Sequence, residues 1–127
     1  MKPRYTVALS ALAGAVLGAG VIQGLHAQAK APAFVVAEID ISNREAFVKD
    51  FVPLGTKALA TGSGFKTLAR GNKTLSIEGA APKFIAINQF DNLDEAIKAY
   101  NSLEYKEARK IGDKYATFRI YAAEGQQ

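Results

Sequence analysis

Apolar residues dominate Ala33 to Ile41 (AFVVAEIDI), where Val35, Val36, Ile39 and Ile41 supply β-branched bulk, so this segment reads as a strand. Ser42-Asn43-Arg44-Glu45 fits a capping box, with Ser42 capping free amides and Glu45 reaching back. A helix is expected to follow, with Phe47, Phe51, Leu54 and Ala58 on one face. Pro53 cannot donate a backbone hydrogen bond, which predicts a kink or restart, and Gly62-Ser63-Gly64 ends the helix. Phe65–Ala69 and Lys73–Ile77 read as two short strands around a turn at Arg70-Gly71-Asn72. Lys83–Phe90 is apolar on both faces and reads as a central strand. Asp91–Glu95 opens a second helix with Leu93, Ala96, Ile97 and Tyr100 on its buried face. Asn101-Ser102 breaks or re-caps it before Leu103–Lys114, and the alternating Thr117–Glu124 is the last strand.

The order is β-α-β-(β)-α-β, read as βαββαβ. It predicts an α+β, ferredoxin-like domain whose helices cover one face of an antiparallel sheet. Both strand faces are nevertheless apolar: Phe34 and Val36 oppose Val35, Ala37 and Ile39, while Phe84 and Ala86 oppose Ile85 and Ile87. A bare apolar sheet face calls for a partner, and a second copy packed face to face is the economical one, giving a dimeric α/β barrel.

Residues 1–29 have a different character. Lys2 and Arg4 precede an uncharged run, Thr6 to Ile22, and Ala27-Gln28-Ala29 supplies small residues two apart. This predicts a cleaved signal peptide at 1–29, a periplasmic or secreted domain at 30–127, and no membrane attachment after cleavage. The alternative is an uncleaved anchor, for which the run is short and interrupted by glycines. Cleavage removes Lys2 and Arg4 and halves the net charge of +4. A footprint for nucleic acid is therefore not expected. It also removes His26, the one histidine, from a chain with no cysteine. No metal or other cofactor is expected, because thiolate, zinc and Ser-His or Cys-His chemistry all need those side chains.

Three segments, LARGNKTLSIEG (68–79), IAINQFDNLDEAIKAYNSLEYKEAR (85–109) and KYATFRIYAAEG (114–125), resemble the domain-of-unknown-function 1330 family in their residues, order and spacing. The resemblance runs from about Ala33 to Gly125 and implies membership of the dimeric α/β-barrel superfamily. That superfamily holds cofactor-free monooxygenases, small-lactone isomerases, haem enzymes such as chlorite dismutase, and proteins without known activity. Fold membership does not choose among them, and the missing histidine argues against the haem branch.

Six polar residues on or beside apolar strands are the candidate ligand-cleft residues: Glu38, Asp40, Arg70, Asn88, Arg119 and Tyr121. Glu38 and Asp40 share a strand face by the two-residue period, as do Arg119 and Tyr121. If these faces line the barrel, they surround a cavity able to orient a carbonyl or carboxylate. A structural arginine–carboxylate network at the dimer interface is the competing reading. Gly62-Ser63-Gly64 lacks the spacing of a phosphate loop, and Asp91, Asp94 and Glu95 suit helix capping better than a calcium loop. Lys106, Arg109, Lys110 and Lys114 alternate with acids and read as a solvated helix face. Two functions stay open. One is an exported homodimer binding a small organic ligand or a partner between its sheets. The other is a cofactor-independent isomerase or monooxygenase with Glu38 as base and Arg70 as anion clamp.

Overall fold

Alternation along the first strand sets the whole architecture, which a computed structural model describes for residues 31–126. The expected signal peptide lies outside the described residues. In β1 (Ala33–Ile41), Ala33, Val35, Ala37 and Ile39 are buried, while Phe34, Val36 and Glu38 on the other face are half-buried. β2 (Lys66–Gly71), β3 (Phe84–Phe90) and β4 (Ala116–Glu124) complete one sheet of order β2-β3-β1-β4, antiparallel throughout. With the helices placed between β1 and β2 and between β3 and β4, this is the ferredoxin-like βαββαβ arrangement. No helix among the described residues is long and apolar enough to cross a membrane.

Helix α1 has three consecutive parts: Arg44–Ala46, a π turn at Phe47–Phe51, and an α-helix at Val52–Leu59. Pro53 explains the middle one. It has no N–H for the carbonyl four residues back, and the chain widens so that the Val52 N–H reaches the Phe47 carbonyl. The restart expected at Pro53 is present, but the wide turn also rotates the buried face. Gly55, Ala58 and Leu59 follow Phe47 and Phe51 inside, and Leu54, expected there, is 45% exposed. The cap also differs from expectation. Asn43, not Ser42, accepts from the Ala46 N–H at 3.1 Å, and the Ser42 hydroxyl donates to the Tyr115 carbonyl at 3.0 Å, tying the helix start to the approach to β4.

Helix α2 (Leu93–Tyr100) is capped by Asn92, and α3 (Leu103–Gly112) by Ser102, so Asn101-Ser102 separates the two helices as read from sequence. Ala96 and Ala99 are the buried residues of α2, while Ile97 is 55% exposed and not part of the buried face. Arg109 does not simply face solvent: its guanidinium lies 3.9 Å from the centre of the Phe118 ring and bonds Asp113 at 2.9 Å. Between α1 and β2, Gly62 passes so close to Phe90 that a Cβ there would sit 2.7 Å from the ring. Gly64 has φ of 77° and lies against Asp91. The Ser63 hydroxyl and N–H donate to Asp91 and Glu95, at 2.5 and 3.0 Å. These contacts make the segment a packing joint between α1 and the start of α2.

Lys73–Ile77 forms no strand. The sheet ends at β2, whose outer edge pairs with no described strand, so the segment leaves the sheet and does not return along that edge as a hairpin would. β2 itself runs through Arg70 and Gly71, which were expected in the turn. The chain then forms a loop at 72–83, closed by the Thr74 hydroxyl donating to the Pro82 carbonyl at 2.7 Å. Leu75 and Ile77 in this loop are 87% and 96% exposed.

Candidate functional site

The sheet sorts the six candidate residues onto two sides. Glu38, Asp40, Arg119 and Tyr121 lie on the open face, away from the helices. Glu38 is opposite Arg119 in the β1–β4 ladder, and Tyr121 is two residues along on the same face. The Tyr121 hydroxyl donates to Glu38 Oε2 at 2.6 Å, and Arg119 Nη2 is 3.2 Å from Glu38 Oε1. Asp40 shares a shallow groove with Glu38, Arg119, Thr117 and Lys83, and has no bond to the other three candidates.

The Tyr121 hydrogen bond holds the Glu38 carboxyl below its ordinary value of 4.5; residual burial opposes this and Arg119 adds to it. A carboxylate lowered in the folded state stabilises the fold above its unfolded value, and that contribution is lost as pH falls through the folded one. The melting temperature of the protein is therefore expected to fall faster than that of Glu38→Gln as pH drops from about 6 to about 3. Parallel curves would show that the bond carries no folding energy.

Arg70 and Asn88 lie on the other side of the sheet, Asn88 buried under the helices and Arg70 exposed at their margin. Asn88 pairs with Val35 across β3–β1 and is buried, 5% exposed. Arg70 reaches the same face through an irregularity in β2. Thr67 pairs with Asn88, Ala69 with Ile87 and Arg70 with Ala86, so Leu68 is an extra residue that places Thr67 and Arg70 together. Glu38 and Arg70 consequently occupy opposite faces of one protomer's sheet, and the base-and-clamp pairing expected from sequence is not formed within the protomer. A strict two-residue period does not reveal such a bulge.

Thr67, Arg70, Asn88 and Tyr100 share a cavity of about 50 Å³ between sheet and helices, walled by aromatic rings that include Phe47, Phe51 and Phe118. That is several times the roughly 10–15 Å³ needed to admit one water and about a third of the roughly 150 Å³ that encloses a benzene ring, so any ligand of more than a few atoms extends out of it. The Thr67 hydroxyl donates to Asn88 Oδ1 at 3.0 Å, and Asn88 Nδ2 donates to the Tyr100 hydroxyl oxygen at 3.0 Å. Arg70 Nη1 donates to the Thr56 hydroxyl at 3.2 Å. Burial pushes the Tyr100 phenol up to about 12; the Asn88 bond opposes the rise and Tyr105 adds to it. Tyr100 thus stays protonated near neutral pH and keeps a hydroxyl proton to donate. Thr67 and Tyr100 were not among the six cleft candidates; the sequence placed Tyr100 on the buried face of the second helix, without a role in the site. The available signal was Asn88 itself, since a polar side chain on a buried strand face must find partners.

The sequence profile of a family described as a domain of unknown function, DUF1330, matches residues 32–126. No curated protein matches the chain. Among solved structures, the methylated form of a Rhodopseudomonas palustris protein of unknown function has a TM-score of 0.62 at 10% identity, over 86% of this chain and 92% of its own. SnoaB, a cofactor-independent oxygenase from Streptomyces nogalater, has a TM-score of 0.59 at 12% identity, over 76% of this chain and 95% of its own. A Caulobacter crescentus protein described as a putative antibiotic biosynthesis monooxygenase has a TM-score of 0.58 at 16% identity, over 77% and 92%. At these identities the likeness concerns the fold.

Proposed function

The chain belongs to the DUF1330 family, and from that premise we propose that it is an exported homodimer which binds a small organic ligand in the cavity between its helices and its sheet. The observation that carries this reading is the cavity's make-up. A Thr67–Asn88–Tyr100 hydrogen-bond chain lies in an otherwise apolar, aromatic wall, with the exposed Arg70 at its edge. A few converging polar groups on an apolar lining are what a small-molecule site needs for orientation and affinity. The inter-sheet cleft expected from sequence offers the Glu38–Arg119–Tyr121 cluster instead, whose groups already satisfy one another. Export rests on Lys2, Arg4, the uncharged run and Ala27-Gln28-Ala29. The homodimer rests on the open sheet face, where Phe34, Val36, Ile85 and Ile87 surround that cluster and none of the helices among the described residues lies over them.

A thermal-shift panel of small carboxylates, lactones and phenols tests the site. A ligand at 100 times its Kd stabilises the folded state by about 2.7 kcal/mol. At least one compound is expected to raise the melting temperature, and Ala86→Leu, which extends a side chain into the cavity, is expected to abolish the rise. An active compound that stabilises Ala86→Leu equally, or no active compound at all, overturns this placement.

A second reading, a cofactor-independent isomerase or monooxygenase, is supported by the likeness in fold to SnoaB and by the Tyr100 hydroxyl set in an aromatic-walled cavity. Turnover of any compound bound in the panel separates catalysis from binding.

A further inference from the structure

We propose that the ligand of this cavity is a small organic anion: a carboxylate whose apolar body lies among the aromatic rings, whose charge is met by Arg70 and one of whose oxygens accepts the Tyr100 hydroxyl proton. The inference rests on the cavity reading above and deepens it to a chemical class.

The argument is a balance of donors and acceptors. Asn88 Oδ1 is engaged by the Thr67 hydroxyl, and the Tyr100 oxygen is engaged by Asn88 Nδ2. What remains for a ligand is donors. The Tyr100 proton is taken by no described residue, one N–H of the Asn88 amide is left over, and most of the five Arg70 N–H groups are unused. Arg70 is also the one charged residue in the cavity wall, and no carboxylate lines it. Among the described residues Arg70 has no acidic partner, whereas Arg109 and Arg119 do. An unneutralised guanidinium beside a donor-rich, aromatic space selects an acceptor-rich ligand of negative charge. An amine meets like charge and few free acceptors there. A neutral alcohol engages the Tyr100 proton but makes no ion pair with the exposed Arg70 guanidinium, which stays with water.

Three probes of one shape, propanoate, propan-1-ol and propan-1-amine, test the class by isothermal titration calorimetry on the protein and its variants; their short bodies suit a cavity of about 50 Å³. Propanoate is expected to bind at least tenfold tighter than propan-1-ol, and propan-1-amine not measurably. Arg70→Gln is expected to erase the propanoate preference, so that the two Kd values converge. Tyr100→Phe, which keeps the ring, is expected to weaken propanoate and propan-1-ol together. Propan-1-ol binding as tightly as propanoate, with Ala86→Leu blocking it, leaves the cavity reading standing and overturns the anion. An unchanged propanoate preference in Arg70→Gln does the same. Absence of binding by all three probes overturns both.

Discussion

Phe47→Ala is expected to lower the unfolding free energy by about 3–5 kcal/mol, the range for deleting a fully buried aromatic ring. Phe47 is 0% exposed, and its ring centre lies 5.1 Å from that of Phe51, 5.8 Å from Phe84 and 5.9 Å from Phe118. These four rings come from α1, β3 and β4, so the side chain joins the first helix to two strands of the sheet. Removing it leaves a void continuous with the existing cavity. The surrounding aromatics are held by their own backbones and cannot all close on it, which places the loss in the upper part of the range. A domain of this size has a total stability of roughly 5–15 kcal/mol, so the variant is expected to sit near the edge of folding. Urea unfolding followed by circular dichroism measures the effect through the transition midpoint. A loss below about 1.5 kcal/mol would show that the ring cluster is not the organising contact of the core.

The second large effect concerns assembly. Ile87→Lys is expected to convert a two-protomer particle into a single protomer at micromolar concentration, with the fold retained. Ile87 is on central strand β3, opposite Val36 on β1 and Ala69 on β2, at the middle of the open apolar face. In an isolated protomer a lysine there extends into water at little cost. Within a face-to-face pair it buries an unpaired charge at the centre of the contact, and two-fold symmetry brings a second copy of that charge into the same interface. A dissociation constant raised at least 100-fold, equivalent to about 2.8 kcal/mol, is the expected result. Light scattering coupled to size exclusion reads it directly, with circular dichroism confirming the fold. A parent protein that is already a single protomer would sink the dimer without touching the cavity.

Much of the fold was legible before any coordinates. β1, β3 and β4 show clear apolar alternation or apolar runs, and these local patterns match the strands formed. The Pro53 restart and the Asn101-Ser102 break were legible for the same reason, since each depends on a missing donor or a capping side chain within a few residues. The errors share a different origin. Lys73–Ile77 carries the alternation of a strand, but β2 runs on through Arg70 and Gly71, where the turn was expected, and the chain leaves the sheet with β2's outer edge unpaired among the described residues. Leu54 carries the spacing of a buried helix position, yet the π turn that accommodates Pro53 rotates it outward and brings Gly55 in.

The candidate site divides along the same line. That Glu38 shares a face with Asp40, and Arg119 with Tyr121, follows from the pleat and needs only neighbouring residues. That Arg70 joins Asn88, Thr67 and Tyr100 on the helix-covered side of the sheet depends on one extra residue, Leu68, in β2 and on α2 packing over β3. Chain chemistry alone determined the helices, the strands β1, β3 and β4, the two-sided apolar sheet, and the absence of cysteine from the whole chain. Tertiary structure alone decided which polar groups meet, because a bulge and a wide helical turn each shift side-chain direction by one residue. Such shifts are set by pairing and packing between segments distant in the chain.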